Sequence, residues 1–139
     1  MKLRVLLAVL FTAVVTLVGC ASNPTGQLLD QRLVGLWERM REPGNGCQFL
    51  AWRTQLSADG SFRISFFRDQ ERTRLIQVEQ GRWTAANGRS ELKTDGVSQA
   101  EVYQYTLRGD DAVHYVNTVK DPTADCQADY EFTEHRVNR

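Results

Sequence analysis

The sequence predicts an all-β protein, a small antiparallel eight-stranded up-and-down barrel. Short runs alternate polar and apolar residues with period 2, as in Ser61-Phe62-Arg63-Ile64-Ser65-Phe66, so that every second side chain faces a core. Turn-forming residues separate these runs, and hardly any stretch reads as a helix. A closed meander of eight strands leaves no exposed edge, which favours a barrel over an open sheet. A two-sheet sandwich is the alternative, because periodicity does not show whether the first and last strands pair.

Residues 28–33 read as one helical turn. Strands are expected at 34–41, 48–56, 61–66, 74–84, 89–94, 101–108, 112–119 and 129–137. Pro43-Gly44-Asn45-Gly46 divides the first two, and Ala58-Asp59-Gly60 forms the hairpin turn before the third. Asn87-Gly88, Asp95-Gly96, Gly109-Asp110-Asp111 and Asp121-Pro122 separate the later strands. Alternation directs Leu50, Trp52 and Leu56 inward, then Phe62, Ile64 and Phe66, then Tyr103, Tyr105 and Leu107, then Val113, Tyr115, Asn117 and Val119. Such side chains largely fill an eight-stranded barrel.

The N-terminus has the pattern of an export signal. Met1, Lys2 and Arg4 give a positive start, and residues 5–18 are almost entirely apolar. That run is shorter than the roughly 20 apolar residues of a spanning helix, and it ends in Gly19-Cys20 followed by the turn-rich Ser22-Asn23-Pro24-Thr25-Gly26. Leu17-Val18-Gly19-Cys20 resembles the lipobox of bacterial lipoprotein precursors. The resemblance implies cleavage before Cys20 and acylation of its thiol; an ordinary secretory signal with an incidental cysteine is the alternative. Attached chains stabilise membrane association by about 0.8 kcal/mol per buried CH₂, so two or three of them anchor a protein durably. Ala21 and Ser22 follow the cysteine in place of the Asp that holds enteric-type lipoproteins in the inner membrane. The expected location is therefore the outer membrane, lipid-anchored and facing the periplasm. The chain divides into a signal (1–19), a lipidated tether (20–32) and one barrel domain (33–139). Of 17 basic residues, Lys2 and Arg4 leave with the signal, so 15 remain against 17 acidic ones and the formal charge becomes −2. No basic face for nucleic acid follows from that balance.

With Cys20 assigned to lipid, Cys47 and Cys126 remain of the three cysteines. In an oxidising compartment they are expected to form a disulfide tying an early loop to the start of the last strand, with a chain-entropy contribution of roughly 4.5 kcal/mol. They lack the C-x-x-C spacing of a redox pair. His114 and His135 are too isolated to complete a metal site with them.

Gly35-Leu36-Trp37 and Gly81-Arg82-Trp83 share a G-x-W pattern. In the first of them the chain resembles the lipocalin-like (calycin) barrels, whose first strand carries G-x-W and whose last strand carries a basic residue packed across that tryptophan. The resemblance spans residues 33–137 and implies that Gly35 admits close backbone approach, that Trp37 closes a barrel end, and that Arg136 stacks on the indole.

The chain has no Gly-x-Ser-x-Gly elbow, no His-Glu-x-x-His and no phosphate-cradling glycine loop, so neither an enzyme nor a cofactor or metal site is expected. His114 and His135 read as surface or paired histidines. Glu134 and Arg136 share a strand face with Tyr130 and Phe132; they either make a polar spot inside the barrel or, preferably, pair with each other or with neighbours at its rim. Trp52, Phe66, Tyr103, Tyr105 and Tyr115 are the candidate ligand-binding residues, since aromatic walls with phenol hydroxyls suit a small apolar cavity. The limited volume of a barrel this size favours their being core. Two functional classes follow: an outer-membrane binding module for a small apolar or amphipathic molecule, and a non-catalytic envelope interaction protein, an accessory or inhibitor subunit with a filled barrel.

Overall fold

Eight strands run in chain order: β1 (Gly35–Arg41), β2 (Leu50–Leu56), β3 (Ser61–Phe67), β4 (Leu75–Ala86), β5 (Arg89–Thr94), β6 (Glu101–Arg108), β7 (Ala112–Asn117) and β8 (Glu131–Arg136). Each is antiparallel to the next. In this computed structural model, which describes residues 28–138, β8 returns to β1 and closes the barrel. Pairing of Trp37 with Arg136 and of Glu38 with His135 forms the seam and rules out the two-sheet sandwich. The export signal, Cys20 and the tether as far as residue 27 lie outside the described residues.

The expected helical turn is a 3₁₀ turn, Gln31–Leu33, capped by the Asp30 carboxylate accepting the Arg32 backbone N–H. It places Leu33, fully buried, across one end of the barrel. Several strand ends differ from expectation: β2 starts at Leu50 and not at 48, β4 runs on to Ala86 past 84, and β7 and β8 are shorter than expected. β7 stops at Asn117, whose side-chain oxygen accepts the Val119 N–H at 2.9 Å and turns the chain outward, leaving Val119 76 % exposed instead of inward. β8 starts at Glu131 because Gln127–Asp129 form a second 3₁₀ turn, so Tyr130 precedes the strand and Cys126 lies in the preceding loop.

The up-and-down order sorts the connections between the two ends. Turns 57–60, 87–88 and 109–111 lie at the end covered by Leu33, and the longer loops 42–49, 68–74, 95–100 and 118–130 surround the other. A disulfide joins Cys47 to Cys126, linking the first and last of those longer loops. Beside it, Arg41 pairs with Asp129 and Arg39 donates to the Ala128 carbonyl at 3.3 Å. The seam with the shortest ladder is thereby fastened covalently and ionically.

Both G-x-W glycines occupy positions that a side chain would obstruct. A Cβ on Gly35, whose φ is +145°, would come within 2.5 Å of Arg136 Nη1. At Gly81 it would meet the Lys93 carbonyl oxygen at 2.0 Å, where β4 and β5 approach.

Candidate functional site: the open mouth of the barrel

The tryptophans of the two G-x-W motifs seal one end. Trp37 is fully buried and donates from Nε1 to the Leu33 carbonyl at 2.7 Å. Arg136 lies over the indole, 4.1 Å from the ring centroid, and donates to the carbonyls of Val34 (3.0 Å), Arg32 (2.6 Å) and Asp110 (2.9 Å). Trp83 is also fully buried and donates to the Ser57 carbonyl at 3.0 Å. The Tyr105 hydroxyl donates to Asp30 at 2.8 Å, fixing the capping turn to the barrel wall. Hydrogen bonding from Arg32, aided by Tyr105, holds the Asp30 carboxyl down to about 2, while burial and that same carboxylate push the Tyr105 hydroxyl up to about 12.

Glu134 occupies the interior above this plug. Its Oε1 accepts from Trp52 Nε1 and from Thr54 Oγ1, both at 2.7 Å. It is thus the polar spot inside the barrel and not a rim residue, and among the described residues it forms no ion pair with Arg136, whose guanidinium is engaged at the sealed end. Burial raises its carboxyl above the ordinary glutamate value of 4.5, against the two hydrogen bonds that favour the charged form. Ionised Glu134 is therefore a cost to the fold that is absent below the unfolded value and grows as pH rises through the raised folded one. Glu134→Gln keeps an acceptor for Trp52 and Thr54 but cannot ionise. The urea midpoint of the native chain, measured relative to that variant, is expected to fall as pH rises above the ordinary glutamate value of 4.5; a difference independent of pH would contradict this role.

The other end is open. There a cavity of about 180 Å³ is floored by Trp52, Phe66, Tyr103 and Phe132 and rimmed by Glu79, Glu101 and Asp129. Phe132 is the hub of the floor, edge-on to Trp52 at 5.7 Å and to Tyr103 at 5.8 Å. On the β1 side, the Arg39 guanidinium covers Trp52 and Phe132, 5.1 Å from each centroid. Across the barrel, Glu79 accepts from the Gln77 amide at 2.9 Å and Glu101 from the Tyr103 hydroxyl at 3.1 Å. Burial, followed by the neighbouring Glu101 charge, raises the Glu79 carboxyl. A wider groove of about 710 Å³, lined by Glu79 and Glu101 on their other side together with Arg63, Gln80, Thr94 and Asp95 among others, has no aromatic wall.

Of the five aromatic candidates, Trp52, Phe66 and Tyr103 meet in the mouth. Tyr105 is committed to Asp30 at the sealed end, and Tyr115 packs beneath Phe132 at 5.4 Å, outside the cavity lining. Phe132, Arg39, Glu79 and Glu101 were not foreseen as site residues. Strand parity carries them, since the register sets Arg39 opposite Trp52, Glu79 opposite Ile64 and Phe132 opposite Tyr115, all on the inner face. His114 pairs with Thr133 and Glu131 across the β7–β8 ladder. Among the described residues, no group of three His, Cys, Asp or Glu side chains is placed to hold a metal.

A closed antiparallel barrel with a tryptophan-plugged end, a stacked arginine and an open aromatic mouth is consistent with the lipocalin-like architecture that the G-x-W pattern resembles. No protein-family model and no curated protein matches the chain.

Proposed function

We propose that the chain is a non-enzymatic binding module, anchored in the outer membrane through acylated Cys20 and facing the periplasm, that takes a small amphipathic molecule into the open mouth. The aromatic-floored cavity opposite a sealed end carries this reading. Ligand pockets for drug-sized molecules run from about 300 to 1,000 Å³, so a cavity of about 180 Å³ admits a small ligand or one end of a longer one. The lipobox-like Leu17 to Cys20 supports the anchor. Orientation agrees with it: the Leu28 carbonyl accepts the Ala85 N–H at 2.9 Å, so the chain enters at the sealed end and a tether there holds the mouth away from the bilayer.

The second reading, an envelope interaction protein, draws support from an apolar row across the outer face. Met40, Ala51, Phe67 and Leu75 are successive cross-strand neighbours, and Met40, Leu75 and Ile76 are exposed. Native mass spectrometry of the chain purified from the envelope of its own host separates the two. The expected spectrum shows a mature chain beginning at acylated Cys20 with a small molecule that leaves on collisional activation. An empty barrel accompanied by a protein partner favours the second reading, and a mature N-terminus at another residue removes the anchor.

A further inference from the structure

We propose that the molecule entering the mouth presents a small organic cation, a protonated amine or a quaternary ammonium group, which sits between the aromatic floor and the carboxylates of Glu79 and Glu101. This deepens the binding reading above and rests on it. The charges in the mouth are segregated by wall. Arg39 and Arg41 lie on β1; Arg41 is paired with Asp129, and Arg39 is spread over Trp52 and Phe132 with Asp129 and Glu134 as its nearby countercharges. Glu79 on β4 and Glu101 on β6 face the lumen from the opposite side. Among the described residues neither carboxylate has a lysine or arginine within ion-pair distance. Their partners are uncharged donors, the Gln77 amide and the Tyr103 hydroxyl.

Three kinds of ligand head group can be compared on that arrangement. An anion would meet two like charges on the acidic wall. A neutral apolar group would take water from two carboxylates and return nothing for it. A cation satisfies both carboxylates and meets the π-systems of Phe66 and Tyr103, which Arg39 leaves uncovered. The space suits a compact head group, since about 180 Å³ corresponds to roughly six water molecules of liquid.

Isothermal titration of the full chain in a nonionic maltoside detergent tests the assignment with three probes of equal bulk: choline, the uncharged alcohol in which carbon replaces its nitrogen, and tert-butylacetate. Choline is expected to bind about tenfold tighter than the uncharged alcohol. Joint replacement Glu79→Gln and Glu101→Gln is expected to erase that advantage by lowering the affinity for choline to that for the alcohol, with near-ultraviolet circular dichroism confirming the fold. Should the double variant not fold, salt gives the same discrimination on the native chain: added sodium chloride weakens choline and spares the alcohol. Equal affinity for choline and the alcohol, or preference for tert-butylacetate, overturns the cationic assignment and leaves the mouth a binding site. Absence of binding by all three overturns both.

Discussion

Replacing Trp37 with alanine is expected to destabilise the barrel by about 3–5 kcal/mol, the range for deleting a large buried aromatic side chain. The indole is fully buried in the sealed end, supports Leu33 through its Nε1 hydrogen bond, and offers the face on which Arg136 rests. Arg136→Ala is expected to cost about 2 kcal/mol, of which the cation–π contact supplies about 1 and the hydrogen bonds to three carbonyls the remainder. The two losses should fall short of additive by about 1 kcal/mol, because removing Trp37 already destroys the stacking contact. A double-mutant cycle by urea unfolding measures the shortfall. Strict additivity would mean that Trp37 and Arg136 do not depend on each other and that the plug is not a unit.

The second large effect is expected at the disulfide. Cys47→Ser with Cys126→Ser frees a loop defined by a sequence separation of 79, for which the chain-entropy estimate is about 4.5 kcal/mol. Its position adds a structural reason. The β1–β8 seam carries the shortest ladder in the barrel, and the bond spans that seam at the open end, next to the Arg41–Asp129 pair. Without it, Arg39, Arg41 and the second 3₁₀ turn still bridge the seam at the mouth. Urea unfolding of the oxidised and reduced native chain should show a lower midpoint and a steeper denaturant dependence on reduction, since the uncrosslinked denatured state exposes more surface. Unfolding free energies within about 1 kcal/mol of each other would place the stability of the seam elsewhere.

The elements with strict alternation and clear turns were legible from the sequence. Arg89–Thr94 and Glu101–Arg108 fall where expected, and the Cys47–Cys126 bond and the Trp37–Arg136 stack connect residues far apart in the chain. Less legible was the fate of charged residues at inner-face positions. Arg39, Glu79 and Glu101 look like solvent-facing residues in a strand, yet parity turns them into the lumen, where the wet mouth tolerates their charge. Glu134 is the deep counterpart: a carboxyl beside an arginine suggests pairing at a rim, whereas the Trp52 and Thr54 donors hold it inside. Val119 continues an apolar alternation, but the local bond from its N–H to the Asn117 side chain ends the strand, a competition that periodicity does not register. Tyr105 and Tyr115 have the right parity for a cavity but lie too deep, because position along the barrel axis depends on the shear of the strands and not on alternation alone.

The three tryptophans divide between the two ends, Trp52 at the mouth and Trp37 and Trp83 in the plug, and their indole N–H groups make separate reporters. In a ¹H–¹⁵N correlation spectrum of the labelled chain titrated with choline, the Trp52 indole signal should move progressively while those of Trp37 and Trp83 stay in place. Movement of the plug signals with Trp52 unmoved, or no movement of any indole at saturating choline, would contradict a barrel that is sealed at one end and binds at the other.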